Sequence, residues 1–122
     1  DSLEEFYCYD CPSLEKISVL NNDLREFVCT NSPLITLPYT LNSGLKTFDC
    51  SQCPMQTLPV LPQGLKKITC LECNGLTIID RLPDSLETLD ARRCHNLERI
   101  DLPPRLQQLD VRDCPKLSLP TE

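Results

Sequence analysis

The sequence predicts a repeat solenoid of short parallel strands, one per turn, with little or no α-helix. Three observations carry that expectation. The stretch 45–73 writes one motif twice, placing Leu45 over Leu65, Phe48 over Ile68, Cys50 over Cys70 and Cys53 over Cys73. The same frame extends to further leading leucines, so repeats start at about 3, 24, 45, 65, 86 and 106 across a single domain, 1–122. Self-similarity with a period of roughly 20 to 50 residues is the mark of stacked supersecondary units. Finally, each repeat holds an apolar, variable, apolar triplet, the period-two pattern of a strand with one buried face.

Slots are counted from the leading leucine. Slot +3 is large and apolar (Phe6, Phe27, Phe48, Ile68, Leu89, Leu109), and slot +5 is smaller (Cys8, Cys29, Cys50, Cys70, Ala91, Val111). Repeated in one chain direction, these triplets predict about six short parallel strands on a concave face. Slot +8 holds Cys11, Ser32, Cys53, Cys73, Cys94 and Cys114, small side chains turned inward where the chain leaves the strand. Proline follows at Pro12, Pro33, Pro54 and Pro115 and restricts the turn. An apolar residue then returns inside (Leu14, Leu34, Met55, Leu76, Leu97, Leu117), followed by Ile17, Leu37, Leu58, Ile79, Ile100 and Leu119.

The return segments LPYTLNSG, LPVLPQG, RLPDS and LPPR are too short and proline-rich for a crossover helix, so the convex side should be extended and polyproline-like. Gly44 and Gly64 precede leading leucines, but Asp23, Ser85 and Arg105 fill the same slot elsewhere. A general need for a positive backbone angle there is not supported.

The formal net charge of -6 argues against nucleic acid as a partner, since phosphate binding needs a concentrated basic surface. No apolar run reaches bilayer length, which argues against membrane insertion. A first repeat already in register at Leu3 suggests a fragment lacking caps. Uncapped ends would expose the Leu3-Phe6-Cys8 and Leu106-Leu109-Val111 layers, so end-to-end self-association is expected.

The lines LPVLPQGLKKITC, LPDSLETLDARRC and LPPRLQQLDVRDC resemble the short LPX-type leucine-rich repeats of secreted bacterial effectors that act inside host cells. The resemblance covers roughly residues 3 to 120, with Cys where those effectors more often carry Asn. It implies a leucine-rich-repeat solenoid with a host protein as partner and, after secretion, a place in the reducing host cytoplasm. It also admits the alternative that these repeats are the substrate-recognition part of a ubiquitin ligase whose catalytic domain is absent here.

The pairs Cys8-Cys11, Cys50-Cys53 and Cys70-Cys73 are CxxC motifs, and sixteen residues separate the last two, as in a four-cysteine zinc site. A zinc-stabilised structural domain is therefore a second alternative. The repeat frame favours packing, because the same slots accept Ser32, Ala91 and Val111, and buried Cys behaves as a small apolar residue. No metal or other cofactor is expected. Disulfides are disfavoured as well: strands stacked about 4.8 Å apart separate equivalent Cβ atoms by more than the ~3.8 Å of a bridge.

No catalytic role is expected. His95 follows Cys94, but one should point outward and the other inward, and no third group orients them. Asp49, Asp90 and Asp110 share slot +4, and a hydrolase built on Asp90 and Asp110 would want a pocket that a shallow sheet does not offer. The expected activity is protein binding by the variable concave columns. The candidate residues are Tyr7, Tyr9, Val28, Thr30, Asp49, Leu71, Asp90, Arg92, Arg93, Asp110 and Arg112. They divide into a Tyr7-Tyr9-Val28 cluster and an Asp-Arg patch, whose charges either recognise a partner or neutralise one another.

Overall fold

Each leading triplet becomes a strand, and each strand pairs in parallel with its counterpart one repeat away. The computed structural model describes residues 5–10, 24–32, 44–58 and 60–118. Leu3, Cys11 with Pro12, Pro33, the first two returns with Leu14, Ile17, Leu34 and Leu37, and Leu119 lie outside the described residues. The principal sheet comprises β1 (Glu5–Tyr9), β2 (Glu26–Thr30), β3 (Thr47–Asp49), β4 (Lys67–Thr69), β6 (Thr88–Asp90) and β8 (Gln108–Asp110). It has six strands in the order β1-β2-β3-β4-β6-β8. Its register keeps equivalent slots opposite one another: Phe6↔Phe27, Phe27↔Phe48, Phe48↔Ile68, Ile68↔Leu89 and Leu89↔Leu109. The fold is a parallel repeat solenoid, and the described residues contain no helix.

Among the described residues the convex returns carry no helix, and two of them pair as short strands. There β5 (Ile78–Ile79) pairs in parallel with β7 (Arg99–Ile100). The Glu98 amide reaches the Thr77 carbonyl at 2.8 Å and the Asp101 amide reaches Ile79 at 2.9 Å. Close approach on the return has its own requirement at Gly75, where an added Cβ would fall 2.8 Å from the Met55 carbonyl oxygen and 2.9 Å from that of Pro54. At the slot before the leading leucine, Gly64 does take a positive φ of 100°, yet neither Ser85 nor Arg105 does. Ser85 instead bridges two backbones, its hydroxyl accepting from the Gly64 amide at 2.8 Å and donating to the Leu65 carbonyl at 2.9 Å.

The core is a continuous strip between the two sides. Phe6, Phe27 and Phe48 stack with centroid separations of 5.1 and 5.4 Å, and Ile68 and Leu89 continue their column fully buried. Leu24, Leu45, Leu65 and Leu86 form a second buried column, while Leu76 and Leu97 close the strip behind slot +8. Layer on layer, these side chains leave water together, which is where the solenoid's stability arises. In the last described turn, Leu106, Leu109, Val111, Cys114 and Leu117 are partly buried, packed against the layer before them.

The cysteines do more than pack. At slot +8, Cys53 donates to the Cys29 carbonyl (3.2 Å), Cys73 to Cys50 (3.1 Å), Cys94 to Cys70 (3.0 Å) and Cys114 to Ala91 (3.0 Å). Every one of these bonds runs from slot +8 to the slot +5 carbonyl of the preceding turn, supplying a partner to a backbone oxygen that burial would otherwise leave costly. Ser32, in the same slot, donates its hydroxyl to the Thr30 carbonyl at 3.0 Å. Cys8 corrects the expectation against disulfides: it is disulfide-bonded, whereas the other described cysteines are free thiols. The spacing argument applies only to equivalent positions on neighbouring strands, and there Cys29, Cys50 and Cys70 are indeed unbridged.

Candidate protein-binding face

The strands change length along the stack, and side chains at slots +4 and +6 accompany the change. β1 and β2 pair through Tyr9↔Thr30, while β3, β4, β6 and β8 stop at slot +4. In three of the shorter strands slot +4 is Asp, and its carboxylate takes the slot +6 amide: Ser51 to Asp49 at 3.0 Å, Arg92 to Asp90 at 3.3 Å and Arg112 to Asp110 at 3.3 Å. Thr69 stands in that slot in β4, and the Leu71 amide donates to the Ser51 hydroxyl at 3.0 Å. Asp49, Asp90 and Asp110 are thus turn-forming acceptors of the kind that compete with a backbone ladder.

The Asp-Arg patch is tied up within itself. Arg92 donates from Nε and Nη2 to the two carboxylate oxygens of Asp90, each at 3.0 Å. Arg112 does the same to Asp110 at 2.9 and 2.7 Å, and Arg92 also lies 3.7 Å from Asp110. This fork geometry is the strongest form of the ion pair. Arg112 holds the Asp110 carboxyl below the usual carboxylate range, and Asp90 raises Arg92 further. Leu71 is not an isolated exposed residue. It is half-buried and lines a depression of about 340 Å³ with Glu72, Arg92, Arg93, Arg112 and Asp113.

After slot +6 the chain turns through the left-handed region once per repeat, at Asp10, Asn31, Gln52, Glu72, Arg93 and Asp113, with φ between 50° and 62°. A non-glycine residue pays about 1–2 kcal/mol for that conformation. Pairing offsets it. The Gln52 amide donates to the Leu71 carbonyl (2.7 Å), Glu72 to Arg92 (3.0 Å) and Arg93 to Arg112 (2.9 Å). The side chains also run along the stack: Asn31 donates to Asp10, Gln52 to Glu72 at 2.7 Å, and Arg93 approaches Glu72 at 4.0 Å. Arg93 therefore sits at the rim of the concave sheet, facing a carboxylate.

At the amino-terminal end, Tyr7 and Tyr9 are 47% and 61% exposed. Their rings lie 6.2 Å apart with planes only 7° from parallel. The Tyr7 hydroxyl donates to Glu26 Oε1 from the neighbouring strand, and this bond is the main reason that its phenol is raised to about 12. Val28 corrects the sequence reading. It stands in register between Tyr7 and Asp49 and is only 7% exposed, because a short side chain is shadowed by longer ones in the same column. Thr30 and Asp49 are half-buried beside it.

Glu5 and Glu26 on slot +2 are the carboxylates that the sequence reading overlooked. Their signal was available, since slot +2 shares the face of slots +4 and +6 by period two. His95 is exposed, and Cys94 is fully buried, so the adjacent pair does not converge. Hydrogen bonding to Cys94 and burial push the Cys70 thiol up, and Cys73 with burial does the same to Cys50, which leaves neither suited to nucleophilic work. Among the described residues no group of three or more His, Cys, Asp or Glu is placed to hold a metal ion, and no helix is long and apolar enough to cross a membrane.

Comparison of the chain with protein-family models, curated proteins and solved structures finds no significant match.

Proposed function

We propose that this chain is a non-catalytic protein-binding module, a leucine-rich-repeat solenoid of the bacterial effector type that engages a host protein through its concave face. One observation carries the reading: two stacked tyrosines stand exposed on a sheet whose other side is held in fixed register by the core. Tyrosine supplies large contact area at small entropic cost, and a rigid strand spares the ordering penalty of a loop. The bidentate Asp90-Arg92 and Asp110-Arg112 pairs weigh against hydrolysis, because a carboxylate held in a fork by its own neighbour is not poised as a base.

The ubiquitin-ligase alternative assigns the same face to substrate recognition and differs only in a catalytic domain elsewhere. A zinc-stabilised domain is less well supported, since the slot +8 sulfurs are each directed at a carbonyl of the preceding turn. Free thiols through the stack favour a reducing host cytoplasm, and the Cys8 bridge is the one feature that points the other way. The half-covered Leu106-Leu109-Val111 layer supports end-to-end association of copies, which sedimentation at rising concentration tests.

The experiment is capture from host lysate on immobilised protein, comparing wild type, Tyr7→Ser with Tyr9→Ser, and the convex variant Glu98→Ala. A specific partner should be lost with the tyrosines and kept with Glu98→Ala. The opposite pattern would place binding on the convex side and end the proposal.

A further inference from the structure

The slot +6 column changes character at Leu71. After β6 and β8 the slot +6 arginine turns back to the slot +4 aspartate of its own turn, whereas the turn of β4 carries Thr69 at slot +4 and Leu71 at slot +6. Leu71, Arg92 and Arg112 therefore follow one another along the stack, about 4.8 Å apart from turn to turn. Backbone bonds fix the three turns together. The Glu72 amide meets the Arg92 carbonyl at 3.0 Å, and the Arg93 amide meets that of Arg112 at 2.9 Å. The depression of about 340 Å³ is thus shaped by the ladder itself, with half-buried Leu71 as its apolar lining.

Its charges do not suit a free anion. Glu72, Asp90, Asp110 and Asp113 set four carboxylates in and behind the depression against the three guanidiniums of Arg92, Arg93 and Arg112. Arg92 and Arg112 each commit Nε and Nη2 to the fork, at 2.7 to 3.0 Å, so much of their in-plane donation is spent within the turn. A guanidinium fixed in this way still has a planar, weakly hydrated face that stacks on aromatic rings.

Resting on the protein-binding reading above, we propose that this depression receives an aromatic side chain of the partner protein, packed on Leu71 and stacked against the Arg92 and Arg112 guanidiniums. A ring answers both kinds of lining group, because it brings apolar area to Leu71 and the negative face of a π-system to the cations. An aliphatic side chain would meet only the leucine. A carboxylate or phosphate would meet only the arginines, and with them the four acids. The forks already restrict the two long arginine side chains, so little further rotamer freedom is lost when a ring settles on them. Indole is the strongest cation–π partner of the aromatic side chains, which makes tryptophan the probe of choice.

The test is an NMR titration of the full chain with Ac-Gly-Trp-Gly-NH2, following the Leu71 methyl groups and the Nε protons of Arg92 and Arg112. Parallel titrations use the same peptide with leucine, aspartate or phosphoserine in place of tryptophan. Saturable upfield shifts of the Leu71 methyls are expected from the ring current of a stacked indole, with binding about tenfold weaker for the leucine peptide. Arg112→Lys keeps the charge and removes the planar face, and should weaken the tryptophan peptide severalfold. Leu71→Ser, read on the Arg92 Nε proton, should weaken it likewise, and amide spectra check that both variants keep the ladder. Equal binding of the leucine peptide, tighter binding of the aspartate or phosphoserine peptide, or indifference to both substitutions would each overturn the proposal. So would a captured partner that survives Leu71→Ser with Arg112→Lys. If the tryptophan peptide leaves Leu71 unmoved while Tyr7→Ser with Tyr9→Ser still loses the captured partner, the binding module stands and this inference falls. If neither pair of substitutions releases the partner, both fall.

Discussion

The Cys73 thiol donates to the carbonyl oxygen of Cys50 across 3.1 Å, with both residues fully buried, and the same bond recurs from Cys53, Cys94 and Cys114. Two cysteines of one CxxC spacing thus have separate tasks. The one at slot +5 fills space and offers its carbonyl; the one at slot +8 completes the hydrogen bonding of the turn before it.

That division predicts opposite responses to serine. Cys73→Ser should keep the bond and be milder than Cys73→Ala, which leaves a buried carbonyl unpaired at a cost of ~1–3 kcal/mol. At slot +5 the order should invert: Cys50→Ala should resemble the natural Ala91, while Cys50→Ser buries a hydroxyl in an apolar column. Urea denaturation of the four variants measures both orders, and the same ranking at the two sites would refute the division of roles.

Core and concave face should separate in the same assay. Leu65→Ala or Leu89→Ala opens a cavity between fully buried layers and should cost ~2–5 kcal/mol. Tyr9→Ala removes a ring that is 61% exposed and should stay within about 0.5 kcal/mol of wild type. A tyrosine variant as unstable as the leucine variants would mean that the ring belongs to the core.

Alkaline titration should find Tyr7 apart from ordinary phenols. Its raised value, about 12 against the ordinary 10, means that the folded state holds this proton more tightly than the unfolded chain does. The associated stabilisation is complete below the unfolded value and is lost as pH rises through the folded one. Absorbance titration of the phenolate band in wild type and Glu26→Gln checks this, with Tyr7 returning toward the ordinary value in the variant. No movement would disprove the Glu26 hydrogen bond as the cause.

On the acid side the sign reverses. Arg112 lowers Asp110, so the folded state releases that proton more readily, and the contribution is present above the ordinary carboxylate value and lost as pH falls through the lowered one. Carboxyl-carbon NMR should place Asp110 below a free aspartate, and Arg112→Gln should raise it. An unchanged Asp110 in that variant would remove the fork from the account.

How much of this was open to sequence reasoning varied with the kind of position. The inward columns were plain, because a slot that admits only Phe, Ile and Leu in every repeat has one explanation. Tyr7 and Tyr9 were placed outward on the same grounds. Val28 was misread because alternation assigns a face but not the shadow that longer neighbours cast on it. The left-handed turn at slot +7 gave only half a warning: Asp10, Asn31 and Asp113 are types enriched in that backbone, whereas Gln52, Glu72 and Arg93 seldom adopt it.

From residue order alone came the period, the strands and the side of the sheet on which each side chain falls, because one buried stripe repeated about every 20 residues admits a single register. Assembly in three dimensions settled which polar groups satisfy one another: the thiols with the carbonyls a turn earlier, Asp90 with Arg92, Tyr7 with Glu26. Such pairings depend on distances of about 3 Å between atoms from different turns or neighbouring slots, and the order of residues along a chain does not specify distances of that kind.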